Sequence, residues 1–237
     1  LSKYRTKDTE TSADLGIIQT ATLTLLGLII GFTFSMAIAR YDLRQTYEEA
    51  EANAIGTEFL RADLLPGKTA ETIKGLLNEY LDQRILFYSK QDHETARQIT
   101  QRTIALENAM WNELLPVART QSTPTIALVI SGMNDVINSQ GYTQAAWWNR
   151  IPTAAWWLMA AIAIGANMLV GFGARNFKRN VGLFMIFPTM IAISFFLIAD
   201  IDSPRGGVIR IDPRNLIDLK HNMNAGQNLA PTIGGKK

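Results

Sequence analysis

Glu48, Glu51 and Glu58 stand in the stretch YEEAEANAIGTEFLRAD, with Arg61 and Asp63 at its end. On a helix this spacing brings the carboxylates toward one side, the arrangement with which di-iron bundles hold their metals. Such bundles also need a histidine three residues after a glutamate. The chain has two histidines, His93 and His221, and neither follows a Glu at that distance. The three glutamates are therefore expected to form a solvated or subunit-bridging face, or an acidic vestibule that biases the access of ions. A second acidic pair, Asp200 and Asp202 in DIDSPRGGVIR, has the alternation with which a calcium loop begins. Its third ligand position is Pro204 and the closing glutamate is missing. The expected arrangement is Asp202 paired with Arg205 at the membrane interface, with Gly206 and Gly207 making a turn. Neither a metal nor a cofactor is expected.

The chain has no cysteine, and GxSxG, HExxH and phosphate-binding glycine loops are missing, so no enzymatic reading has residues to stand on. A net charge of +2 without a basic cluster argues against nucleic-acid binding.

The elements that must position these groups are set by the distribution of apolar residues. Residues 15–39, 151–174 and 181–199 contain no Asp, Glu, Lys or Arg. At about 1.5 Å rise per residue each run covers, or nearly covers, a hydrocarbon layer of roughly 30 Å. The expected fold is an all-α integral membrane protein with three visible transmembrane helices. A polar segment, 1–14, precedes the first; a polar insert, 40–150, separates the first two; a polar tail, 200–237, follows the last. The chain begins at Leu1 rather than Met, and because removal of the initiator normally needs a small second residue, an upstream piece is expected.

The insert reads as a helical bundle. Residues 40–65 continue the first span without a breaker and stop at Pro66-Gly67. Ile73, Leu76, Leu77, Tyr80, Leu81 and Tyr88 make one apolar stripe, and Ile99, Thr103, Leu106, Met110 and Leu114 make another before Pro116. Thr123-Pro124 is an N-cap followed by proline at the first helical position, and its helix is expected to end near Gln140-Gly141. In WWNRIPTAAWW, Trp147, Trp148, Trp156 and Trp157 are expected at the headgroup layer, with Pro152 opening a helix. Pro188 is expected to kink or loosen the last span. The cationic hairpin with Arg175, Lys178 and Arg179 and the arginines at the opposite ends of the spans leave the positive-inside rule tied.

In the first span, Thr20, Gly27, Gly31 and Ser35, together with Thr24, form a stripe of small residues. Such a seam lets helices approach closely in lipid. The same side, ending in Leu28 and Phe32, is also suited to line an ion path with an apolar constriction. Asn167 and Gln19 are expected to hydrogen-bond across helices. The spans hold no ionisable residue, which argues against a proton pump or ion-coupled transporter.

FTFSMAIARYD, EANAIGTEFLRADLLP, NRIPTAAWWL and DIDSPRGGVIRI together resemble the bestrophin-like membrane protein family over most of residues 14–219. The resemblance implies two membrane helices, a helical insert and two more membrane helices, hence a fourth span in the full chain. A more distant similarity is to true bestrophins, pentameric anion channels whose pore-lining helix carries a Gly-Phe pair and ends in Arg and an aromatic. Gly31-Phe32 and Arg40-Tyr41 match those positions. The implied neck positions are Thr24, Leu28 and Phe32, although the neck proline is missing and Thr24 is polar. True bestrophins also place a calcium-binding acidic cluster just after their last span, where Asp200 and Asp202 lie.

The implied function is a bestrophin-like, homo-oligomeric ion channel, pentameric by resemblance and anion-conducting, in a bacterial inner (plasma) membrane with insert and tail in the cytoplasm. The alternative is a non-conducting accessory or scaffold subunit that contacts lipid and other membrane subunits through the glycine seam and the tryptophans.

Overall fold

The computed structural model describes residues 2–89, 93–173 and 181–229, and every regular element among them is helical. Seven α-helices follow in order: α1 (Ser2–Arg61), α2 (Gly67–Ser89), α3 (His93–Thr120), α4 (Pro124–Trp148), α5 (Thr153–Gly173), α6 (Val181–Asp202) and α7 (Arg214–Leu229). A 3-10 turn, Ala62–Leu64, closes α1 ahead of Pro66. The cationic hairpin expected at Arg175, Lys178 and Arg179 lies outside the described residues.

Among the described residues three helical stretches are long and apolar enough to cross a membrane, one beginning in α1, one ending in α5 and one in α6. α1 has no breaker from Ser2 to Arg61, so the uncharged run and the first part of the insert are one helix of about 90 Å at 1.5 Å per residue. The helices divide into two compact units, one holding α1 up to Tyr41 with α5 and α6, the other the rest of α1 with α2, α3, α4 and α7.

In the first unit, Leu26 packs with Ala163 and Ala166 of α5 and Ile191 of α6, and Ala37 packs with Ile151, Ile198 and Ile201. Leu23, Ile30, Phe34 and Tyr41 extend the same side of α1. Their spacing of three and four is that of one helix face. Small alanines on α5 let the backbones approach, as packing in lipid requires. Asn167 does not reach across: its amide donates to the Ala163 carbonyl one turn back in α5, at 2.8 Å. α6 runs uninterrupted through Pro188.

In the second unit both expected stripes are core apart from Leu76, which is half-buried. Ile73, Leu77, Tyr80, Leu81 and Tyr88 are buried, as are Ile99, Thr103, Leu106, Met110 and Leu114. Lower α1 runs antiparallel to α2, since Glu51 meets Arg84 while Asp63 meets Lys74. It is antiparallel to α4 as well, since Arg44 meets Ala146 while Glu51 meets Thr143. α7 runs beside lower α1 in the same direction: Glu48 meets Leu216, and Gly56 leaves room for Leu219, whose Cδ1 would stand 2.9 Å from an added Cβ.

Two helix boundaries and the placement of one tryptophan differ from expectation. Thr123 caps α4, accepting the Ile126 N–H at 3.2 Å, but α4 continues through Gly141 to Trp148. A helical glycine costs about 1 kcal/mol, which the burial of Ala146 and Trp147 beyond it offsets. Pro116 does not stop α3: the proline forgoes the bond to the Asn112 carbonyl, and the helix continues for one more turn to Thr120. Trp147 is not a headgroup residue; it is buried against Phe87 and Tyr88, with ring centroids at 4.7 and 5.5 Å. Trp148 and Trp157 are exposed.

Candidate functional site

The side of α1 opposite α5 and α6 is left open. Thr20, Thr24, Gly27, Leu28, Gly31, Phe32 and Ser35 are all exposed in the single chain, Leu28 at 52% and Phe32 at 65%. Nothing lies within 4 Å of the place a Cβ would take at Gly27 or Gly31. The Thr20 and Thr24 hydroxyls donate to carbonyls one turn back, at 2.8 and 2.9 Å, which satisfies them without a second helix. The candidate ion-path residues and the seam residues therefore share one unpacked surface.

Because α1 is continuous, this side can be followed past the span. Ala39, Asp42, Thr46, Glu49, Asn53 and Thr57 continue it at steps of three and four, and all are exposed. The two cations of the segment are turned into the protein instead. Arg40 pairs with Asp202 at 3.4 Å, and Arg44 donates to the carbonyls of Ala146 and Asn149 at 3.2 and 3.1 Å.

The solvated face expected at Glu48, Glu51 and Glu58 is not observed; all three are buried. A buried carboxylate must find donors or lose its charge, and the three differ in how far they succeed. Glu51 is the best supplied. Arg84 Nε donates to Oε1, and Arg84 Nη2, the Tyr88 hydroxyl and the Thr143 hydroxyl donate to Oε2 at 3.3, 3.2 and 3.1 Å. Burial alone would lower the Arg84 pKa, but Glu51 reverses that and holds it above its ordinary value. Burial, then the Glu51 charge, pushes the Tyr88 phenol up. Nearby, burial raises Glu107 to about 6 against the opposing pull of Arg84 and of the Tyr80 hydroxyl. Glu48 accepts from Asn215 Nδ2 at 2.6 Å and from the Leu216 N–H at 3.1 Å, which ties α7 to α1; burial still raises its pKa. Glu58 has no hydrogen-bond partner on either oxygen.

Arg84 and Arg44 were missed as site residues. The signal for Arg84 was present: it falls between Leu81 and Tyr88 on the apolar stripe of α2, where a charge implies a buried partner.

In the last turn of α6, Asp200 closes the loop that follows the helix. It accepts the N–H groups of Val208 and Ile209, both at 2.8 Å. Gly207 makes the expected turn at φ +99°, where a Cβ would collide with the Asp200 carboxylate. Asp202 accepts the Ile151 N–H at 3.2 and 3.1 Å and pairs with Arg40, pinning the start of α5. Arg205 lies over the rings of Phe87 and Trp147, at 5.3 and 5.5 Å. Both carboxylates are thus directed to protein donors. Among the described residues no group of three His, Cys, Asp or Glu is placed to hold a metal.

Comparison with known proteins agrees with this layout. The chain is similar to crystal structures of a bacterial bestrophin homologue from Klebsiella pneumoniae. Two point-mutant forms give TM-scores of 0.68 and 0.67 at 13% identity, covering 89% and 90% of this chain and 87% of each homologue chain. A third structure, described only as a membrane protein, gives a TM-score of 0.64 at 14% identity, covering 95% of this chain and 87% of that one. Among curated protein sequences none matches significantly. At such identity the structures establish the fold, while the family profile for the Bestrophin-like domain matches residues 4–216. The chain belongs to the Bestrophin-like domain family.

Proposed function

We propose that this chain is the repeating subunit of an ion-conducting homo-oligomer in a bacterial inner membrane, with the open side of α1 lining the path and the insert in the cytoplasm. The carrying observation is that α1 packs α5 and α6 through one side only. The other side passes without interruption from apolar residues in the span to exposed polar residues beyond it. A lipid-facing helix needs the first half of that pattern; the second half suits a water-filled mouth. One subunit this small cannot enclose a pore, so several copies must share an axis. Leu28 and Phe32 then form an apolar constriction that gates by dewetting. Glu48 and Glu51 tie the helices of the insert together, Glu58 is buried between α1 and α4, and the exposed acids on the path side are Asp42 and Glu49. With Arg40 and Arg44 turned away, the mouth favours cations, in contrast to the anion conduction implied by the resemblance to true bestrophins.

The test is native mass spectrometry of detergent-purified chain followed by flux from vesicles prepared from the same fraction. A ring of identical chains that passes ions down a salt gradient is expected. A single copy associated with unrelated subunits would favour the accessory role, and a ring that passes no ions would overturn conduction.

A further inference from the structure

Glu58 faces α4 from the insert part of α1. It lies 19 residues past the uncharged run, about 28 Å along the axis at 1.5 Å per residue. Its side chain is fully buried and neither oxygen has a donor. The space it fills exists because residue 132 is glycine, since a Cβ there would collide with Glu58 Oε2 and with Nη1 of Arg61. Few charged groups surround it. On its own helix Arg61, partly exposed, stands 4.0 Å from Oε2; on α4 Asp135 adds a like charge; Asp63 and Lys74, nearby in sequence and on α2, pair with each other.

Glu51 receives four donated hydrogen bonds and Glu48 two, and each of these carboxylates is thereby tied to a neighbouring helix. Glu58 receives none. A carboxylate without water or donors is the form that burial penalises, whereas the neutral acid loses little.

We propose that Glu58 is a proton-binding site that sets the packing of α1 on α4. Neutral, it lies against Gly132 and keeps the two helices in contact; ionised, it moves toward Arg61 and water and loosens that contact. Both helices lead into the membrane segments, α1 directly and α4 through the four residues before α5. Burial is the main cause of a raised pKa here; Arg61 pulls it down and Asp135 up, and the carboxyl is pushed up to about 8. The folded chain keeps a proton that the unfolded chain releases near pH 4.5, so stability falls as pH rises from there to about 8 and then levels off.

The inference does not depend on ion conduction. It is tested by hydrogen exchange of the full chain in detergent between pH 6.5 and 9, corrected for the intrinsic pH dependence of exchange. Opening of the α4 amides around Gly132 is expected to increase by about tenfold or more in the wild type and to stay flat in Glu58→Gln, which mimics the neutral acid. An equal response in Glu58→Gln, or none in the wild type, overturns the proposal. Should Glu58→Gln not fold, the infrared spectrum of the wild type decides: a protonated-carboxyl band present at pH 7 and lost by pH 9 supports it, and no such band at pH 7 rejects it.

Discussion

Replacing Arg84 with alanine is expected to destabilise the chain by about 3–5 kcal/mol, because it leaves the Glu51 carboxylate buried with only two hydroxyl donors. The loss of charge decides the size. Truncating an exposed pair such as Arg102–Glu79 costs at most about 1 kcal/mol, since water replaces the partner. At Glu51 water has no access. The contrast separates charge from volume: Arg84→Met with Glu51→Met removes both charges, and replacing a whole buried pair by apolar residues is often neutral. Denaturant unfolding in detergent should therefore place the double variant well above Arg84→Ala. Equal losses in both would mean that packing, rather than the ion pair, sustains this part of the bundle.

Phe32→Ala is expected to raise ion flux from vesicles by on the order of tenfold, equivalent to about 1.4 kcal/mol off the barrier. Phe32 is the largest exposed apolar side chain among the three neck positions, and its ring makes no packing contact in the described α1–α5–α6 core. Its removal should leave folding intact while widening and wetting the constriction. Thr24→Ala changes volume and polarity less and should alter flux little. Unchanged flux from Phe32→Ala, with assembly preserved, would remove Phe32 from the path.

Much of the fold was legible because its signals are local. Uncharged runs of membrane length, two apolar stripes at helical spacing and the Thr123-Pro124 cap each depend on one element alone. Burial of the glutamates depended on two elements at once. Glu48, Glu51 and Glu58 have the same spacing whether they face water or protein, and only the docking of α2, α4 and α7 decides between those outcomes. Arg84 could have tipped the reading, since an arginine inside an apolar stripe needs an acid opposite. The open side of α1 shows the reverse limit. Its residue types were readable, but the uncharged run to Ala39 has apolar residues all around the helix, and only packing against α5 and α6 separates the used side from the unused one.

In the proposed assembly the unused side of α1 faces sister copies around a shared axis. The chain has no cysteine, so Phe32→Cys and, separately, Ile193→Cys on the exposed side of α6 each introduce a single site for a spin label. Pulsed dipolar distances between copies in vesicles are expected to be shorter at position 32 than at position 193. Longer distances at 32 than at 193, or no coupling between labels at 32, would contradict it.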